Sequence, residues 1–230
     1  MKYAIKRIID LLLTFIVLII LFPTFVIIAM AIKFDSKGPV LFKQGRLTKD
    51  GKVFSMYKFR TMIENAENMG TGLFNYEDDF RVTRIGKFLR KSSLNELPQL
   101  INVIKGDMSI VGPRPPVSYE LGSYADLNET YKKRFTVLPG ITGLAQVSGR
   151  NELTWDEKVI HDNRYIDLFN KHSVLVDIKI ILLTVFYVIK MKNIYEVKDE
   201  LLKNATEEEI AVIAGEKMRK NARRREIIQK

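Results

Sequence analysis

The chain has no cysteine and only two histidines among its 230 residues. A disulfide framework, thiolate metal sites and a histidine-rich metal centre are therefore excluded. Acidic residues are scarce against basic ones: 27 Asp and Glu face 37 Lys and Arg, a formal net charge of +10. This deficit of negative charge favours an anionic partner: nucleic acid, acidic lipid headgroups or a phosphate-bearing substrate. No recognisable nucleic-acid module accompanies the charge, so nucleic acid is set aside. Internal repeats are also lacking, and the length suits one ordinary domain with appendages.

What the sequence does have is a charge-free run near its N-terminus, "LLLTFIVLIILFPTFVIIAMAI", Leu11 to Ile32. A run of ~20 apolar residues is long enough to cross a bilayer. Ala29-Met30-Ala31 imitates a signal-peptide cleavage site, but a signal peptide's apolar region is only ~7–15 residues long. Pro23 sits mid-run, where it removes a helical hydrogen bond and bends the chain. Lys2, Lys6 and Arg7 precede the run, and Lys33, Lys37, Lys43 and Arg46 follow it. Basic flanks tend to stay cytoplasmic. A simple spanning helix and a re-entrant hairpin bent at Pro23 both fit.

Further along, "PVLFKQ" and "VFSMYKF" have strand composition and are separated by a turn around Asp50-Gly51. Gly112 to Pro116, "GPRPP", is a rigid irregular segment. Leu121 to Phe135 reads as a helix. Val137 to Arg150 forms a glycine-rich loop region, in which Gln146 and Arg150 either bind uracil or phosphate or brace the loop. Thr154 and Glu157 form a capping box that opens a helix. Val174 to Lys190 suits a core helix or one lying at a membrane interface. Asp107 reads as a turn residue, and His161 and His172 as incidental. From about Asn193 the chain turns acidic and then strongly basic.

The stretch "RKSSLNELPQL", residues 90 to 100, admits two readings. With Asn95 as N-cap, Pro98 falls at the third helical position, where its missing N–H costs nothing. Leu97, Leu100, Ile101 and Ile104 then share one face. The same geometry can serve phosphate, because a helix N-terminus offers free N–H groups and partial positive charge. Arg81, Arg84, Lys87, Arg90 and Lys91 lie upstream and Arg114 downstream; arginine suits bidentate phosphate binding. A carboxylate among such cations can hold a divalent metal through oxygen.

These strings resemble the bacterial sugar transferases, the monotopic phosphoglycosyl transferases. The likeness rests on Lys6-Arg7-x-x-Asp10, "GPVLFKQGR", "VFSMYKFRTM", "RVTRIGKFLRKSSLNELPQLINVIKGDMSIVGPRP" and "RFTVLPGITGLAQVSGR", followed by "DNRYID" and "DIKIILLTV". It covers roughly residues 1 to 190. The resemblance implies a mostly helical α+β fold: a monotopic membrane protein with a re-entrant helix hairpin, a small β-hairpin and interfacial helices. It divides the chain into a membrane anchor over 1–33, a transferase domain over 34–193 and a charged appendage over 194–230. The hairpin breaks at Pro23, although Phe22 stands where the family commonly has serine.

The resemblance also implies an activity. A sugar 1-phosphate passes from a UDP-sugar to undecaprenyl phosphate with Mg2+ as cofactor, releasing UMP and priming capsule, exopolysaccharide or glycan assembly. Membrane lipids are partners, a homodimer is left open, and the site faces the cytoplasm at the bacterial inner membrane. Lys58, Arg90 and Arg114 fall on the family's active-site cations. Its Asp-Glu dyad, which includes the nucleophile and the metal ligands, falls on Asn95 and Glu96. Because Asn95 replaces the attacking aspartate, three readings stand. Glu96 takes over, the lipid phosphate attacks directly, or the chain is a degenerate nucleotide- or lipid-binding partner of an active transferase.

Overall fold

The computed structural model describes residues 1–66, 69, 79–149 and 153–189. Arg150 and the expected appendage over 194–230 lie outside the described residues. The architecture is mainly helical, with two small two-stranded sheets.

The apolar run forms one helix, α1, Lys2–Asp35, continuous through Pro23. A hairpin of two separate helices is not what the backbone draws; the chain keeps helical geometry on both sides of the proline. The middle of α1 faces outward, with Ile19 73% and Phe22 67% exposed. Its two ends do not. Ile28 and Ile32 are buried with Phe59 and Leu89, and Phe25, Val40, Leu41 and Ile85 pack around them. Toward the N-terminus Lys6, Asp10 and Thr14 are buried. Lys6 Nζ lies 2.6 Å from Asp177 Oδ2, and Asp10 Oδ2 accepts from Ser109 Oγ at 2.7 Å. Arg7 donates to the carbonyls of Ile104 and Met108.

The expected β-hairpin is present. β1, Leu41–Leu47, pairs antiparallel with β2, Val53–Phe59, and Phe42 lies opposite Lys58. The turn needs positive φ at Asp50 (58°) and Gly51 (71°), residue types that tolerate it. Arg60, just past β2, is buried; its guanidinium donates to the carbonyls of Ser36 and Lys37 and so fixes the exit of α1.

Two short helices follow, α2, Arg84–Lys91, and α3, Gln99–Lys105. β3, Ser109–Val111, pairs parallel with β4, Gly140–Thr142. The helix expected over Leu121 to Phe135 is interrupted. Leu127 is extended, and Asn128 accepts from Tyr131 N to cap a short α4, Glu129–Lys133. An asparagine able to cap mid-segment competes with helix continuation. After α5, Leu144–Ser148, the Thr154–Glu157 capping box opens α6, Trp155–His172. α7, Val174–Ile189, buries Ile180 against Tyr165, Ile166 and Phe169 of α6 and exposes Leu175, Ile178, Leu182 and Phe186.

Candidate active site

The "RKSSLNELPQL" segment folds differently from its local pattern. Ser93 adopts left-handed geometry (φ 59°) and ends α2. Leu94–Glu96 then makes a 3-10 turn, and α3 begins only at Gln99 behind Pro98. Asn95 is therefore not an α-helical N-cap. The backbone N–H of Glu96 is spent on Ser93 O at 3.1 Å rather than left open for phosphate. Leu94 and Leu97 pack into the Ile28–Ile32–Phe59–Leu89 cluster. The turn is thus fixed directly against the base of the apolar helix.

Glu96 gathers the expected cations. Its carboxylate meets Arg114 in a forked pair, Oε1–Nη2 2.7 Å and Oε2–Nη1 3.3 Å. Lys58 Nζ lies 3.9 Å from the same Oε1, and both side chains are largely covered, at 16% and 14% exposure. Burial pushes the Lys58 ammonium down to about 7. Glu96 pulls it back up, while Arg46, Arg114 and Arg90 push it further down. Arg90 is held by Nε donating to Thr61 Oγ1 at 2.8 Å. Positive charge thus exceeds negative around Glu96, the condition a diphosphate would relieve. Asn95 is half-buried beside Glu96.

Arg114 owes its position to its surroundings. Gly112 lets the proline-rich loop press on β4; a Cβ there would come within 2.5 Å of Leu138 O. The Arg114 carbonyl accepts from Arg134 Nη2 at 2.6 Å. Arg134 is itself buried, paired with Asp162 at 2.8 Å, and its guanidinium lies over Trp155. Burial raises the Asp162 carboxyl even against the opposing pull of Arg134.

Other expected residues fall elsewhere. Arg81 is wholly buried, with its guanidinium on Asp79 and on the carbonyls of Ala66 and Met69. It braces that segment and is not presented to a ligand as expected. Arg84 is exposed at the start of α2, on a different face from Arg90. Gln146 turns Nε2 to Ile141 O at 3.4 Å, and its buried Oε1 has no partner. Asp107 accepts from Asn102 and belongs to the turn after α3. Arg46 joins the site without having been singled out for it. Its guanidinium donates to Gln44 Oε1 and to Pro115 O at 2.8 Å. The strand period carried the signal: Gln44 and Arg46 share with Phe42 the face that Lys58 joins across the hairpin.

The family model for bacterial sugar transferases matches residues 1–191. The chain belongs to the bacterial sugar transferase family. The galactosyl transferase CpsE of Streptococcus agalactiae is 51% identical over 158 residues, covering 64% of this chain and 34% of that protein. The UDP-glucose:undecaprenyl-phosphate glucose-1-phosphate transferase of Klebsiella pneumoniae is 44% identical over 183 residues, covering 79% of this chain and 39% of that protein. This bacterial sugar transferase therefore spans well under half the length of those relatives. The exopolysaccharide production protein ExoY of Sinorhizobium fredii is closer in size: 39% identity over 194 residues covers 78% of this chain and 83% of ExoY.

Proposed function

We propose that this bacterial sugar transferase moves a sugar 1-phosphate from a UDP-sugar to undecaprenyl phosphate, releasing UMP. The observation that carries the reading is the Lys58, Arg46, Arg90 and Arg114 group around Glu96, set against the base of α1. Fixed cations stabilise charge on transferring phosphoryl groups, the main protein contribution in this chemistry. Relatives named as undecaprenyl-phosphate glucose and galactose phosphotransferases support the substrates. The product would prime capsule or exopolysaccharide assembly, and the name of ExoY supports the latter. No specific observation favours a degenerate, non-catalytic partner.

Among the described residues, no cluster of three or more acidic or histidine side chains offers a metal cage. Mg2+ usually takes few carboxylates and completes its shell with water and substrate phosphate. The Asn95 amide oxygen fits that sparse role, and the Glu96 carboxylate would join it on loosening the Arg114 fork. The ion would add neutralising charge on the diphosphate.

Membrane placement rests on α1. Its apolar middle is exposed, yet Lys6 and Asp10 at one end and Ile28 and Ile32 at the other are buried against the rest of the chain. A helix with both ends on one folded body suits entry and return from the same leaflet, with Pro23 as the bend. The exposed apolar residues of α7 suit contact with the same lipid surface. The site would then face the cytoplasm at the inner membrane, level with the headgroup phosphate of the acceptor. Purified protein given UDP-glucose or UDP-galactose, undecaprenyl phosphate and Mg2+ is expected to release UMP. No release from either sugar nucleotide counts against the reading.

A further inference from the structure

The question left open by Asn95 is which atom attacks phosphorus, and the answer rests on the activity proposed above. A neutral amide at residue 95 is a poor nucleophile. The Glu96 carboxylate is occupied: its oxygens meet Arg114 at 2.7 and 3.3 Å, with Lys58 at 3.9 Å. Attack through either oxygen would break a charge-assisted fork and turn the lone pairs away from the cations they hold. Other acidic groups among the described residues are engaged elsewhere. Asp79 is on Arg81, Asp107 on Asn102, Asp162 on Arg134 and Asp177 on Lys6. There is no cysteine to serve instead.

We propose that the acceptor's own phosphate is the nucleophile, in one direct displacement within a ternary complex. Glu96 is then a positioning residue, the anchor that aims Arg114 and Lys58 at the donor diphosphate. An oxygen of the acceptor phosphomonoester forms a bond to the β-phosphorus of the UDP-sugar. The bond from that phosphorus to the bridging oxygen breaks, and UMP leaves with that oxygen and its electron pair. Charge balances without a proton: two dianions enter, and a dianionic lipid diphosphosugar and dianionic UMP leave. The attacking oxygen is already ionised, since the second phosphate pKa is about 6. A site with abundant cations and a clamped carboxylate suits that chemistry.

Rapid mixing of the full chain with UDP-glucose or UDP-galactose alone separates this from a covalent route. The expected result is no UMP burst and an unchanged intact protein mass. With both substrates varied, double-reciprocal plots are expected to intersect. A stoichiometric UMP burst, with a phosphosugar mass on Glu96 or residue 95 and parallel plots, overturns the proposal. UMP missing even with both substrates present overturns the activity itself, a distinct result. Glu96→Gln keeps an oxygen for Arg114 but loses its charge. Its donor KM is expected to rise, and its kcat to fall, by roughly 10–100-fold with plots still intersecting. Complete loss of turnover in a Glu96→Gln protein whose melting temperature is unchanged also overturns the proposal.

Discussion

Lys58 is an ammonium held where burial and three arginines oppose its charge and only Glu96 favours it. Its folded value, about 7, lies below the ordinary 10.5. Between those values the unfolded chain binds more protons, so stability rises with pH through that window. Lys58→Met removes the buried charge. In metal- and nucleotide-free buffer the variant is expected to melt higher than the parent. The advantage should be largest below pH 7 and fade toward pH 10.5. The same variant is expected to raise the donor KM by roughly 10–100-fold, the worth of a charge-assisted hydrogen bond. Thermal melts across pH and initial rates check both halves. Asn95→Asp is expected to introduce a UMP burst from UDP-sugar alone, read by rapid quench, because an ionised carboxylate then stands free of the Arg114 fork. Sequence made Lys58, Arg90, Arg114 and Glu96 legible because their strings are specific. It misread Arg81 because a count of charges does not show that Asp79, two residues away, already owns that guanidinium.

Elements whose signals are local were the most readable. The β1–β2 hairpin follows from strand composition and the Asp50-Gly51 turn, and α6 from Thr154 and Glu157. Asn95 failed as a helix cap because Ser93 takes left-handed geometry and Leu94 and Leu97 turn into the α1 cluster. Those are tertiary demands that no four-residue pattern contains. The joint between α1 and α7 was equally hidden. Lys6 and Asp177 lie 171 residues apart, and Tyr165 Oη also donates to Asp177 at 2.9 Å. Burial raises the Asp177 carboxyl while Lys6 and Tyr165 hold it down. Asp177→Ala leaves Lys6 buried with only Asp10, at 3.8 Å, as its carboxylate partner. A loss of roughly 3–5 kcal/mol is expected for breaking such a pair, read by denaturant unfolding in detergent.

At the scale of the whole molecule, the absence of cysteine becomes a tool. Single cysteines at Lys2 and Lys37, both exposed, bracket the apolar helix. If α1 enters and leaves by one leaflet, a membrane-impermeant maleimide should label both from the cytoplasmic side and neither from outside. Labelling from opposite sides would mean a crossing. The apolar run by itself left spanning and re-entry equally open, and the family resemblance tipped the expectation towards re-entry. The burial of both ends of α1 is an observation that hydropathy does not contain.

The joint between Lys6 and Asp177 also sets an order of events during synthesis. At ~5–20 residues per second, the ribosome needs roughly 9–34 s to extend the chain the 171 residues from Lys6 to Asp177. For that interval the apolar helix exists while its permanent partner does not. Asp10, one turn along at 3.8 Å, is the carboxylate already present. Lys6 can therefore enter the lipid boundary accompanied, and exchange a temporary neighbour for a lasting one only when the catalytic body closes over it.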